Sequence, residues 1–210
     1  AREGADFLTR LEGMFALAYY DRERRELLLA RDPFGEKPLY YAEFDGLLVF
    51  ASELAALSRV PGFPTRITVD TVAHYLAFQH PIGERTLYQH ARKLLPGHLM
   101  RAVTGEVSQA ERYFHFICAG DHMPSRPLEE QVDQLEELLL RSLSHRLVAD
   151  VPVGAFLSGG VDSSTAVALI TRRLQRPIRT FSIGFTHAPE SEHEEARAFA
   201  DFLGTEHTEQ

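Results

Sequence analysis

Between Val153 and Ile170 the chain reads VGAFLSGGVDSSTAVALI. An apolar run leads into Ser158-Gly159-Gly160, and a helix-like apolar run leads out. Glycines between a strand and a helix let the backbone approach a phosphate, and a helix N-terminus offers N–H groups and a partial positive charge. A nucleoside-triphosphatase loop would read G-x-x-x-x-G-K-[ST], with a lysine for the outer phosphates. Here Asp162 and the hydroxyls of Ser163 and Ser164 follow the glycines instead. Asp162 would repel a phosphate directly, but Mg²⁺ between them turns repulsion into coordination, because magnesium takes carboxylate and phosphate oxygens together. A loop of this kind could hold pyrophosphate as a leaving group, with attack at the α-phosphate of a nucleotide. The bland alternative is a serine–glycine turn with Asp162 as a helix-start acid. Neither a G-x-S-x-G elbow nor a G-x-G-x-x-G fingerprint is present.

Other chemically capable residues are less suggestive. Arg31-Asp32 reads best as an ion pair fixing the turn RDPFGEKPL. The 10 histidines form no H-E-x-x-H or other compact zinc spacing, and His193 in SEHEEA reads as a solvated first helical turn. The single cysteine, Cys118, reads as a small apolar residue rather than a nucleophile. The aromatic clusters LYY and RYFHF lack the basic surround that nucleic-acid stacking needs.

The elements that must position these residues change character along the chain. GMFALAYYD, RELLLARD, KPLYYAEF and LLVFASE are strand-like, and Asp45-Gly46 between the last two is a hairpin signal. Ser52 is expected to cap a short helix at ELAAL, and Asp70 a longer one at TVAHYLAFQ, with Val72, Tyr75, Leu76 and Gln79 at helical spacing. Pro96-Gly97 is expected to turn the chain between extended pieces, and RYFHFICAG to be the last strand of this half. Gly120–Pro127 reads as a linker. Beyond it Leu128, Val132, Leu135, Leu139, Leu143 and Leu147 form one helical stripe, expected to be a core face. From Val153 the pattern is strand, helix, strand, helix, the form of a parallel sheet with packed helices. The chain stops at LGTEHTEQ, where a new strand should begin with nothing to pair with, and residue 1 is Ala1; together these suggest a piece of a longer protein.

A formal charge of -8 argues against broad nucleic-acid binding, and 44% hydrophobic against 25% charged residues predicts packed cores. No apolar run approaches a membrane span, no signal segment opens the chain, and one cysteine suits a reducing cytoplasm.

At LSGGVDSS the chain resembles the N-type ATP-pyrophosphatase superfamily, whose loop has the form S-G-G-x-D-S. LEGMFALAYYD, RDPFGEKPLYY, FASEL and KLLPGH resemble the later part of a class II glutamine amidotransferase domain, while DVPVGAFLSGGVDSS and FSIGF are similar to the synthetase domain joined to it in the glutamine-hydrolysing asparagine synthetase family. The resemblance implies an antiparallel, β-rich α+β part over 1–119, a linker over 120–127, and an α/β parallel-sheet, adenine nucleotide hydrolase-like domain over 128–210, both truncated. It implies a cytoplasmic ligase in which aspartate's carboxylate attacks the α-phosphate of ATP and ammonia from glutamine displaces AMP. By position, Ser158, Gly159, Gly160, Asp162, Ser163 and Ser164 would hold pyrophosphate, Asp162 would hold Mg²⁺, and the main chain at Leu157 and Ile183 would contact adenosine. The partners implied are ATP, aspartate and glutamine, with no nucleic acid or membrane, and with a homodimer open to the full-length protein.

The departures from the family pattern are specific. The family's nucleophile is an N-terminal cysteine, where this chain has Ala1. Its second ATP-site motif, S-G-E-G-x-D-E, is not within these residues, and Ser191-Glu192 stands where relatives often have Asp-Glu. The chain alone is therefore expected to be inactive in both half-reactions. The rivals are an amide-forming paralogue such as a β-lactam synthetase, which adenylates another carboxylate, and a non-catalytic binding module. tRNA thiolation is disfavoured by the acidic balance.

Overall fold

The computed structural model describes residues 5–103, 106–116, 126–183 and 193–210 of the 210-residue chain. Two compact units result, Ala1–Cys118 and Ala119–Gln210. Cys118, Ser191-Glu192 and most of the expected linker lie outside the described residues.

The first unit is built from two antiparallel sheets. β1 (Ala16–Asp21) and β2 (Glu26–Arg31) form a hairpin, and β2 continues to β6 (His98–Val103), which pairs with β7 (Glu106–Val107) and β8 (Glu111–Arg112). The smaller sheet runs β4 (Leu47–Ala51), β3 (Tyr40–Phe44), β5 (Ala91–Lys93). Asp45 and Gly46 both take positive φ, 48° and 72°, as a two-residue hairpin turn of matching twist requires. Side-chain alternation then sorts the core into layers. Leu29 and Met100 of the larger sheet meet Tyr41, Leu39 and Leu94 between the sheets. On the outer face of the larger sheet, Leu28, Ala30 and Leu99 cover Leu8 of a 3-10 turn at Asp6–Arg10. Ala42 and Ala91 of the smaller sheet pack on Leu57 of α1 (Leu54–Leu57) and on Phe63.

Helix starts in this unit differ from the sequence expectation. α1 begins after Glu53, with no side-chain cap, so Ser52 does not serve as one. α2 (Val69–Phe78) is capped by Thr68, whose hydroxyl accepts the Thr71 N–H, and Asp70 lies inside its first turn. Ile67 is held extended by a bridge to Tyr88, which makes Thr68 the first residue free to turn. The spaced apolar residues Val72, Tyr75 and Leu76 face outward, Leu76 at 77% exposure. Pro96-Gly97 turns the chain between β5 and β6, with Gly97 at φ +66°. RYFHF is not a strand beyond Arg112: the N–H groups of Tyr113 and Phe114 both donate to the Gly97 carbonyl, pulling the chain off the sheet.

The second unit is α/β. α3 (Leu128–Arg146) precedes a parallel sheet ordered β11 (Glu206–Glu209), β10 (Arg179–Ser182), β9 (Gly154–Phe156). α4 (Val161–Ala168), extended by a π-helical turn over Leu169–Arg173, links β9 to β10, and α5 (His193–Leu203) links β10 to β11. Leu157, Val167, Ile170, Ile178, Ala196, Ala200 and Leu203 make its core. Fully buried Ala196 and Ala200 let α5 lie close to the sheet. Two expectations are corrected here. The C-terminal strand does have a partner, running parallel to β10 from Arg179↔Glu206 to Ser182↔Glu209. The stripe of α3 is a core face only towards its C-terminal end, where Leu143 and Leu147 pack inward; Leu128, Val132 and Leu135 are exposed.

Candidate functional site

The glycine loop sits where the parallel sheet would deliver it. β9 ends at Phe156, and Leu157, 1% exposed, extends the ladder by donating its N–H to the Phe181 carbonyl at 2.8 Å. The chain then leaves the carboxyl end of the strand, the side on which open α/β sheets bind ligands. Gly159 takes φ +76°, which a side chain would resist, and Gly160 is the N-cap residue of α4.

The loop is closed by its own hydroxyls. Ser163 Oγ donates to the Gly160 carbonyl (3.2 Å) and accepts the Ser158 N–H (3.3 Å). Ser158 Oγ lies 3.1 Å from Ser163 Oγ and accepts the Gly160 N–H at 3.4 Å. The Ser164 N–H makes the first helical bond, to the Gly160 carbonyl (3.1 Å). By helix geometry the N–H groups of Val161, Asp162 and Ser163 have no acceptor one turn back within α4. Ser158, Gly160 and Asp162 are exposed around this ring, and Ile183, just past β10, is 66% exposed. The fold thus brings Leu157, Ser158, Gly159, Gly160, Asp162, Ser163 and Ile183 to one edge. Ser164 differs: it is buried beneath the loop, and among the described residues its hydroxyl has no hydrogen-bond partner.

This arrangement suits a magnesium–phosphate pair. Cradle and helix start offer main-chain N–H donors, while the exposed Asp162 carboxylate could offer an oxygen to a phosphate-bound magnesium. Among the described residues no group of three or more His, Cys, Asp or Glu could hold a metal by itself. A cavity of about 930 Å³ in this unit, lined by Pro152, Arg176, Ile178 and Glu206 among others, opens at the amino ends of the strands, away from this loop.

Arg31 and Asp32 have a different character. The Arg31 guanidinium donates to the carbonyls of Gly35 (2.6 Å), Lys37 (2.7 Å) and Leu94 (2.7 Å). The Asp32 carboxylate, on a residue 1% exposed, accepts the N–H groups of Phe34, Glu36 and Lys37, each at 3.0 Å. The turn is therefore fixed by side-chain-to-main-chain bonds rather than by the expected ion pair. Burial acts to raise the Asp32 pKa, but the N–H groups of Lys37, Glu36 and Phe34 together hold it below the ordinary carboxylate value. Tyr113 donates its hydroxyl to the Arg31 carbonyl at 2.7 Å; burial, reinforced by the Asp32 charge, pushes that phenol to about 12.

Residues 1–114 match the family described as glutamine amidotransferase domain, and residues 134–210 match the family described as asparagine synthase. The chain belongs to the family that joins these two domains. A Mycobacterium bovis relative, provisionally named a glutamine-hydrolysing asparagine synthetase, is 38% identical over 97% of this chain and 32% of its own length. Asparagine synthetase [glutamine-hydrolyzing] 1 of Bacillus subtilis is 33% identical over 94% of this chain and 30% of the relative. Asparagine synthetase [glutamine-hydrolyzing] 2 of Arabidopsis thaliana is 30% identical over 98% and 32%. The chain spans about a third of the length of these relatives. The glycine loop falls within the asparagine synthase match, and the Arg31–Asp32 turn within the amidotransferase match.

Sequence reading missed one feature of this edge. Thr180, Ser182, Thr205 and His207 form a buried or half-buried polar cluster on the face of the sheet that carries Leu157. The signal was available: in the strand RTFS, alternation places Thr180 and Ser182 on the same face as Ile178, which is apolar.

Proposed function

We propose that the chain carries the nucleotide edge of an ATP-dependent, glutamine-using asparagine synthetase. One observation carries this reading: an S-G-G-x-D-S loop at the carboxyl end of a parallel strand, with its acid exposed, in a chain that also bears an amidotransferase-type unit. An aspartate carboxylate oxygen attacks the α-phosphorus of ATP, the bond from that phosphorus to the bridging oxygen breaks, and pyrophosphate leaves. Ammonia from glutamine then attacks the acyl carbon of aspartyl-AMP, the carbon–oxygen bond to AMP breaks with its electron pair leaving on AMP, and the nitrogen gives up a proton to leave the amide.

The residues divide the work. Ser158, Gly159, Gly160 and Ser163 cradle the pyrophosphate with hydroxyls and main-chain N–H groups, exchanging the bonds they make to one another for bonds to the ligand. Asp162 would hold Mg²⁺, which would supply neutralisation of the phosphate charge. Main-chain groups at Leu157 and Ile183 meet adenosine. Ser164, buried below the loop, supports the cradle from behind. Among the described residues no helix is long and apolar enough to cross a membrane.

The test is Asp162→Ala in the full-length protein. It should abolish aspartate- and ATP-dependent pyrophosphate release while leaving glutamine hydrolysis intact. Unchanged pyrophosphate release would remove Asp162 from the site, and release driven only by another carboxylate would make the protein a different amide-forming ligase.

A further inference from the structure

The helix-covered face of β10 changes character along its length. Ile178 at the start is apolar and 7% exposed, but Thr180 and Ser182 beyond it are polar and 0% and 7% exposed. Buried hydroxyls are costly unless bonded, so their presence towards the ligand edge calls for a reason. Their shared partner is His207 on β11, whose side chain is 8% exposed. Its Nδ1 lies 2.9 Å from Thr180 Oγ1, and its Nε2 lies 3.2 Å from Ser182 Oγ and 3.6 Å from Glu209 Oε1. Thr180 Oγ1 also meets Thr205 Oγ1 at 2.9 Å. Glu209 is anchored in turn by Arg197 of α5, whose Nε donates to Oε1 at 2.8 Å.

One imidazole thus contacts two successive inward residues of the neighbouring strand, through a different nitrogen for each. Such a bridge adds side-chain bonds to the main-chain ladder that holds β10 against β11, at the two positions nearest the ligand edge. The strand so held runs directly into Ile183, and the Gln210 N–H ties the Ser182 carbonyl from the β11 side at 3.1 Å. The Leu157 N–H, at the other adenosine position, is hydrogen-bonded to Phe181 of this same strand.

We infer that His207 is a positioning residue for the nucleotide: acting through Ser182, it sets the height of the β10 terminus and so places the main chain at Ile183 against the base. This rests on the proposed nucleotide edge. His207 touches no reacting atom in this scheme, so its loss should weaken ATP binding more than turnover.

The experiment measures ATP–pyrophosphate exchange against ATP concentration, with aspartate present, in the full-length protein and its variants. His207→Gln places an amide near the Nε2 position, within reach of Ser182, whereas His207→Asn reaches only the Nδ1 position and Thr180. We expect KM for ATP to rise about tenfold in His207→Asn, with kcat changed less than about threefold, and to stay within about threefold of wild type in His207→Gln. Ser182→Ala, which removes the same bond from the other side, should reproduce the Asn result and serves where His207→Asn fails to fold. A purely structural histidine would lower thermal stability in both His207 variants without moving KM, and that result overturns the inference while leaving the nucleotide edge in place. Wild-type protein that exchanges pyrophosphate with no carboxylate overturns the functional reading and this inference together.

Discussion

Asp32→Asn isolates the acceptor that organises the RDPFGEKPL turn. The wild-type carboxylate accepts the Phe34 and Glu36 N–H groups at one oxygen and the Lys37 N–H at the other. In the variant the amide oxygen can keep the first pair, but the amide nitrogen then points a donor at the Lys37 N–H. One bond is lost, a donor–donor contact replaces it, and two charge-assisted bonds become neutral. At roughly 1 kcal/mol for the lost bond and about half that for each weakened one, the loss is about 2 kcal/mol. Asp32→Ala, which removes all three, should lose about 3 kcal/mol. The sign of the pH dependence follows from the lowered pKa. Stabilisation by the charged carboxylate is fully present above the unfolded-state value near 3.9, and it disappears as pH falls through the lower folded-state value. The gap between wild type and Asp32→Asn should therefore be constant from about pH 7 to pH 5 and narrow below about pH 4. Urea unfolding followed by far-UV circular dichroism measures the gap, and amide hydrogen exchange at Phe34, Glu36 and Lys37 shows whether the loss is local. A variant within about 0.5 kcal/mol of wild type at pH 7, with those amides still protected, would refute the account.

Gly35→Ala should cost about 3 kcal/mol in the same unfolding assay, since φ is +67° and a Cβ would stand 2.7 Å from Pro96 Cγ and 3.0 Å from Arg31 Cζ. Thr68→Ala removes the α2 cap and should cost about 1 kcal/mol, with Asp70→Ala close to neutral by comparison. On α3, Leu143→Ala should cost about 2 kcal/mol because it packs on the second core, whereas Val132→Ala, 51% exposed, should stay within about 0.5 kcal/mol. Equal losses at these two positions would show that the whole stripe is covered.

What was legible in the sequence follows the range of the interactions involved. The Asp45-Gly46 hairpin and the strand–loop–helix at Ser158–Ser164 are set by φ preference and short-range periodicity, and both appear where the residues indicate. The caps are not legible because Ser52, Thr68 and Asp70 are all chemically able to cap, and the choice at α2 falls to a distant bridge between Ile67 and Tyr88. RYFHF has the composition of a strand, yet Gly97, remote in sequence, takes the hydrogen bonds that would have continued it. The α3 stripe has one period but two environments, and periodicity carries no information about which end finds a partner. The histidine bridge escaped notice because His207 joins Thr180 and Ser182 only once β11 pairs with β10.

The two charged turns show how a positioning acid differs from the acid of the proposed ligand site when both lie in glycine-containing loops. Asp32 is 1% exposed and its carboxylate is occupied by N–H groups of its own turn, so it has little capacity left for a substrate. Around Asp162 the closure is done by Ser158, Ser163 and the Gly160 main chain, and the acid itself faces solvent. A hydroxyl-closed loop can exchange its internal bonds for bonds to a phosphate at small net cost, because each hydroxyl both donates and accepts. Closing the same loop with Asp162 would have consumed the one negative charge that a phosphate-bound cation requires. That division of labour, serines to shape the loop and aspartate left free, is what the proposed ligand site at residues 158–164 requires and what the scaffold at residues 31–37 lacks.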